Sequence, residues 1–223
     1  MSESVLIVGA GSGLSASLAH LCSLRGMKVV LAARNIEKLK HLKKETGADT
    51  IKCDATNIKS VTNLFKKTDK IIGVPNLVIY NPSKSLGGSI ADLDPKKAYE
   101  AINVTCYGGF LVAQQAAKRM LKKKRGSIFF TGATASIKGF SKSSVFAMGK
   151  FGLRGLAQSL ARELHPQNIH IGHFIIDGGI GREDYGSYKT IHPDEIAKVY
   201  LQFHNQDKSA WSWETQLRTS VEK

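Results

Sequence analysis

The chain has 223 residues, with 32 lysines and arginines against 18 aspartates and glutamates, a formal net charge of +14. Apolar residues make up 42% and charged residues 22%, which excludes a disordered chain, and the length suffices to bury a sizeable core without staples. The three cysteines, Cys22, Cys53 and Cys106, are scattered and odd in number, which excludes a disulfide framework, shows no metal-ligand spacing and points to a reducing compartment.

Met1 to Ser4 carries an acidic rather than a basic residue, and the apolar run Val5–Val8 is too short for a leader. No run approaches the ~18–20 apolar residues of a membrane span. The expectation is a cytoplasmic protein without a membrane partner. Ser4–Val8 reads as a buried strand that opens into Gly9-Ala10-Gly11-Ser12-Gly13 and then a helix, Leu14–Arg25, with Leu14, Leu18, Leu21 and Leu24 on one face. Gly9, Gly11 and Gly13 allow a tight turn and a close backbone approach to a pyrophosphate. Ser12 and Leu14 stand where the helix N-terminus offers free N–H groups. Lys28–Ala32 is a second strand, ending at Ala33-Arg34. No carboxylate is present there to hold a ribose 2′-hydroxyl, and Arg34 supplies a cation for a 2′-phosphate, so NADP is favoured over NAD.

Next come a charged helix, Ile36–Thr46, a strand, Thr50–Cys53, a helix, Ile58–Thr68, and a fourth strand, Asn76–Tyr80. A long helix is predicted from Pro95 to Lys123, capped by Asp94. Ser127–Thr131 is a fifth strand. Ser143–Leu164 is a helix that Pro166 stops, and His170–Ile176 is a sixth strand. A helix, Pro193–Phe203, precedes a last strand, Trp211–Leu217, in which Trp211 and Trp213 alternate with polar residues. This alternation predicts an α/β fold, a doubly wound parallel sheet with helices on both faces, in a single domain over residues 1–223.

The positive charge first suggests a polyanion. Its residues are dispersed, however, as Lys43-Lys44, Lys66-Lys67 and Lys122-Lys123-Lys124-Arg125, each near a predicted helix end where the dipole favours cations. No aromatic RNA-binding pattern accompanies them, so no nucleic-acid partner is expected. Among the histidines, His165 before Pro166 sits where a partial positive charge suits a helix end. His170 and His173 fall on opposite faces of the sixth strand. None forms an i, i+4 metal pair, and no metal is expected.

With these elements placed, residues 4–218 resemble the short-chain dehydrogenases/reductases. The glycine turn Val8-Gly9-Ala10-Gly11-Ser12-Gly13-Leu14-Ser15 is similar to that family's Thr-Gly-x-x-x-Gly-x-Gly. Asp54, with Ala55, matches its adenine-contacting acid. Asn81 is kept where Asn-Asn-Ala-Gly is usual, and Asn103 matches the Asn of the long helix. Asp177-Gly178-Gly179-Ile180 stands in place of Pro-Gly-x-Val, so Gly178 and Ile180 join the implied cofactor contacts. The resemblance implies a Rossmann-type sheet of about seven strands in the order 3-2-1-4-5-6-7. It also implies a homodimer or homotetramer assembled through helices 95–123 and 143–164.

The reaction implied is hydride transfer between nicotinamide and a small carbonyl or alcohol substrate. In that family a Tyr moves the proton, a Lys on the same helix face lowers the Tyr pKa and binds ribose, a Ser orients the oxygen, and an Asn supports a water. Here the helix reads Phe146-Ala147-Met148-Gly149-Lys150, and Ala133 stands at the Ser position. Lys150 and Asn103 are the catalytic groups left, and Lys150 also belongs to the cofactor set. Thr134, Ser143, Ser144, Tyr185, Tyr188 or Lys150 itself are candidate replacement donors. Two functions follow: an NADP(H)-dependent oxidoreductase with a non-standard proton donor, or an NADP(H)-binding sensor or scaffold with little turnover.

Overall fold

The computed structural model describes residues 3–183 and 189–220. Its centre is β1 (Ser4–Val8), five residues with every side chain buried. Leu6 and Val8 point to one side of the sheet, and Val5 and Ile7 to the other. A strand buried on both faces needs a continuous apolar run, which Val5-Leu6-Ile7-Val8 supplies. α1 (Leu14–Leu24) returns the chain to β2 (Lys28–Ala33), which pairs in parallel with β1, Val5 opposite Val29. α2 (Lys40–Thr46), β3 (Asp49–Lys52), α3 (Ile58–Ile72) and β4 (Leu77–Tyr80) complete the first half. The second half follows as α4 (Pro95–Ile102), α5 (Gly108–Lys123), β5 (Gly126–Thr131), α6 (Ser144–Leu164), β6 (Ile169–Asp177), β7 (Gly179–Ile180), β8 (Thr190–Ile191), α7 (Pro193–His204) and β9 (Glu214–Arg218).

The main sheet has seven strands in the order β3-β2-β1-β4-β5-β6-β9, every neighbour parallel. This is the expected order. The seventh place falls to the ninth strand in the chain because the small β7–β8 pair intervenes. One apolar layer joins the sheet to α3, α5 and α6 through Phe65, Val112 and Leu153. The other joins it to α1 and α7 through Leu18, Ile196 and Tyr200. Trimming one such buried leucine, Leu6 or Leu18, to alanine would cost about 2–5 kcal/mol. Chain order reverses between β1 and β4, so a crevice opens at their carboxyl ends, where sheets of this kind take ligands.

Several predicted boundaries need correction. The long helix is not continuous: Asn103–Tyr107 forms a π-turn, closed by the Gly108 N–H on the Asn103 carbonyl. Its cause is Tyr80, whose hydroxyl donates to the Val104 carbonyl across 2.5 Å. A Cβ on Gly108 would stand 2.3 Å from that same hydroxyl. The helix expected from Ile36 begins as a 3-10 turn, Glu37–Leu39, because the Asn35 side chain accepts from Glu37 N at 3.0 Å. α3 runs on to Ile72 and stops at Gly73, with φ 74°, so Lys66-Lys67 lie inside the helix and not at its end. The last strand begins at Glu214, not Trp211. Trp211 follows a 3-10 turn, Lys208–Ala210, donates its indole N–H to the Gln206 carbonyl at 3.0 Å and stacks on His170. His165 is not a helix-end cation, since burial lowers its pKa and its Nε2 accepts from Ile171 N at 3.1 Å. Among the described residues, no helix is long and apolar enough to cross a membrane, and no His/Cys/Asp/Glu group could hold a metal.

Candidate cofactor cleft and active site

The glycine turn is built against its neighbours on both sides. Gly9 has φ +83°, and a Cβ there would lie 2.6 Å from Cγ of Pro82, so only glycine fits. Gly9 N and Ala10 N both donate to the Ala32 carbonyl, at 2.9 and 3.0 Å. Asn81 braces the turn from β4: its Nδ2 donates to Ser15 Oγ at 2.7 Å, and Ser15 Oγ donates to the Gly9 carbonyl at 3.1 Å. A Cβ on Gly11 or on Gly13 would meet no atom within 4 Å. No side chain caps the N-terminus of α1, so its first N–H groups remain available to an anion.

A cavity of about 570 Å³ opens in front of this turn. The residues singled out from the sequence that line it are Gly9, Gly11, Ser12, Arg34, Asp54, Ala55 and Asn81. The sequence reading missed Asn35, Lys38, Pro82 and Val104, which line it too. Lys38 had a legible signal as a second cation four residues beyond Arg34. Asp54 is oriented by its own loop, accepting from Thr56 N at 2.9 Å and Thr56 Oγ1 at 2.8 Å. The cavity therefore offers glycine backbone, the Asp54 carboxylate and the cations Arg34 and Lys38 among its lining. That donor set suits the adenosine and phosphate half of a dinucleotide.

Gly13, Leu14, Asn103, Lys150, Gly178 and Ile180 do not line this cavity. Leu14 packs its side chain into the core beneath the turn. Gly178 (φ +150°) follows Asp177, and Ile180 pairs with Ile191 in the small sheet. Asn103 opens the π-turn.

Lys150 sits on α6, which approaches the π-turn closely because Gly149 faces Thr105. A Cβ on Gly149 would lie 2.9 Å from Thr105 Cβ. Lys150 is 2% exposed, and its Nζ donates to the Thr131 carbonyl at 2.8 Å, at the carboxyl end of β5. The Phe146 ring centroid is 5.7 Å from Nζ. Burial pulls the Lys150 pKa down to about 8.

The hydroxyls near Ala133 are already engaged. Thr134 Oγ1 donates to Asp177 Oδ1 at 2.5 Å. Asp177 also accepts from Gln216 Nε2 at 2.7 Å and Arg218 Nη2 at 2.9 Å, and the Thr134 bond is the main reason its pKa is lowered. Ser136 Oγ accepts from Ala133 N at 3.1 Å and lies 3.4 Å from His173 Nε2. His173 Nδ1 faces Glu214 Oε2 at 3.0 Å, so Nδ1 carries the hydrogen and Nε2 accepts from Ser136. Arg154 closes the chain on Glu214. Burial pushes His173 down to about 4, keeping the ring neutral. Sequence reading placed His173 on its strand but missed this chain, because Glu214 is 41 residues away. Ser143 and Ser144 occupy the N-cap and first position of α6, but Ser143 makes no side-chain capping bond and Ser144 Oγ is buried without a hydrogen-bond partner. Tyr185 and Tyr188 lie outside the described residues.

Residues 3–180 match the short chain dehydrogenase family. A crystal structure of a short-chain dehydrogenase from Rhodopseudomonas palustris is 34% identical, with a TM-score of 0.87 over 97% of this chain and 98% of that one. A metagenomic short-chain oxidoreductase in complex with NADP shares the fold at 24% identity, TM-score 0.86, over 99% of this chain and 98% of that one. The 3-oxoacyl-[acyl-carrier-protein] reductase of Bos taurus is 26% identical over 173 residues, 77% of this chain and 73% of that protein. The chain belongs to the short-chain dehydrogenase family of oxidoreductases.

Proposed function

We propose that the protein is an NADP(H)-dependent oxidoreductase acting on a small carbonyl or alcohol, with a proton donor other than an aromatic hydroxyl. The observation that carries the cofactor assignment is the pair Arg34 and Lys38 on the cavity that the glycine turn opens. In this reading the turn holds the pyrophosphate, Asp54 and Ala55 border the adenine, and the two cations hold the 2′-phosphate. Asn103, Lys150, Gly178 and Ile180 stand towards the nicotinamide half. NADPH, when bound, supplies a hydride. The chain's own residues orient the partners and move the proton.

The protein works as one unit over residues 1–223, in the cytoplasm, as a homodimer or homotetramer. The partly exposed apolar groove between α5 and α6, lined by Phe110, Ala117, Leu121, Leu156 and Leu160, is the face that would meet a second copy. The test is a fluorescence titration with NADPH and NADH, followed by a panel of carbonyls and alcohols. Tighter binding of NADPH together with turnover supports the reading. Tight NADPH binding without turnover on any substrate favours the sensor or scaffold reading, which draws on Phe146 and Ala133. Equal affinity for the two cofactors overturns the assignment of Arg34 and Lys38.

A further inference from the structure

A carbonyl reduced by hydride must also receive a proton, and four hydroxyls of this region are committed elsewhere. Thr134 gives its hydrogen to Asp177, Ser136 gives its hydrogen to His173, Tyr80 gives its hydrogen to Val104, and Tyr200 shares its hydrogen with Thr131. Ser143 makes no capping hydrogen bond and Ser144 Oγ is buried without a hydrogen-bond partner, but a serine hydroxyl is a far weaker acid than an ammonium group and leaves a costly alkoxide behind. Lys150 differs from all of these. It is a buried cation whose described hydrogen bond is to the neutral carbonyl of Thr131. No carboxylate is paired with it among the described salt bridges. An ammonium has three N–H donors, so the bond to Thr131 leaves two without a described partner. A buried charge without a counter-charge is expensive to keep, and such groups concentrate at functional sites.

The surroundings set the tuning. On β6 the neutral ring of His173 feels Lys150 and Arg154 as positive charges. Arg154, further along α6, is matched by Glu214 on β9. Cys106 on the π-turn faces Gly152, its thiol held protonated by burial. On α4, Tyr99 is exposed and Glu100 is tied to Lys84. On β6 and β9 beyond His173, Asp177 is occupied by Thr134, Gln216 and Arg218. β5 carries no titratable side chain. No described neighbour thus competes for the two spare Lys150 protons.

Resting on the oxidoreductase reading above, we propose that Lys150 is the acid that protonates the substrate oxygen in reduction and the base that takes that proton back in oxidation. As the carbonyl carbon accepts the hydride, the C=O electron pair moves to oxygen. That oxygen takes a proton from Lys150 Nζ, giving the alcohol and a neutral amine, and solvent restores the ammonium. Phe146 then serves as an apolar wall beside Nζ.

The test combines NMR titration of ¹⁵N-lysine-labelled protein with kinetics and NADPH fluorescence on Lys150→Arg and Lys150→Met. The Lys150 signal, assigned by its loss in either variant, should titrate near pH 8 in the unmodified protein. Carbonyl reduction should fall about tenfold per pH unit above that point. Lys150→Arg keeps the charge but cannot release a proton near neutral pH. Compared at saturating NADPH, so that any change in cofactor binding is set aside, it should reduce at least about 100-fold more slowly. A Lys150 still protonated past about pH 10, or a Lys150→Arg variant keeping more than about a tenth of the turnover, overturns the assignment to Lys150 and leaves the oxidoreductase reading intact. A titrating Lys150 in a protein that binds NADPH but turns over no carbonyl or alcohol overturns the oxidoreductase reading, and this proposal with it.

Discussion

Arg154 and Glu214 meet side-on, Nε 2.6 Å from Oε2 and Nη2 2.9 Å from Oε1, so a two-point contact pins α6 to the last strand. The same carboxylate receives His173, in register opposite Glu214. Truncating one member of a buried pair strands its partners, at about 3–5 kcal/mol where burial is complete. Arg154 is one-third exposed and Glu214 less so, and screening reduces the figure. Glu214→Ala should therefore lower stability by about 2 kcal/mol in urea unfolding. Glu214→Gln, which keeps an acceptor for both partners, should lose less. Equal stability for the unmodified protein and Glu214→Ala would contradict the pinning.

Stability should fall on mild acidification. His170 and His173 are both held near 4 by burial, against 6.5 in the unfolded chain. Between those values the unfolded chain binds more protons than the folded one. The contribution is fully present above pH 6.5 and is lost as pH falls towards 4. Chemical unfolding at pH 7.5 and pH 5 should show the drop, and His173→Gln should make it shallower. A flat profile would mean that these rings are not buried neutral.

Two glycines of the turn separate folding from binding. Gly9→Ala demands a Cβ at φ +83° and 2.6 Å from Pro82, so both thermal stability and NADPH binding should be lost. Gly11→Ala meets nothing within 4 Å. Its melting temperature should stay close to that of the unmodified protein, while its methyl group occupies the cradle and weakens NADPH binding by about tenfold or more. Calorimetry with fluorescence titration of both variants distinguishes the two effects.

The cofactor preference should depend on two cations. A charge-assisted bond to a phosphate is worth about 1.5–3 kcal/mol, so Arg34→Ala and Lys38→Ala should each weaken NADPH by about 10-fold to 100-fold. NADH should change little in either variant. A parallel loss for both cofactors would place these side chains on some other part of the ligand.

What the sequence made legible was local. The apolar run of β1, the glycine turn after it and the proline and aspartate at the start of α4 each carry their signal within a few residues. What escaped depends on contacts between distant segments. The π-turn at Asn103 exists because Tyr80, 24 residues earlier in contact with Val104, takes a carbonyl out of the helical ladder. The start of β9 at Glu214 reflects its register with His173, and no feature of Trp211 or Trp213 announces it. The occupation of Thr134 by Asp177 spans 43 residues, so a candidate donor legible as a nearby hydroxyl proved to be already bonded.

Phe146→Tyr supplies the most direct gain-of-function measurement. The ring lies 5.7 Å from Lys150 Nζ, so a hydroxyl added to it would enter the field of that cation, which favours the phenolate and lowers its pKa. Positioned general acid–base groups contribute about 10²–10⁴ in rate. Part of that range is already covered if Lys150 moves the proton, so the expected increase in carbonyl reduction is about 10-fold. Because the tyrosine then takes over as donor, the loss of rate above pH 8 should move to higher pH. Adding Lys150→Arg to Phe146→Tyr should cost much less than Lys150→Arg costs in the unmodified protein, since arginine still provides the charge and the proton no longer comes from residue 150. A double variant as slow as Lys150→Arg alone would mean that the added hydroxyl does not reach the substrate oxygen.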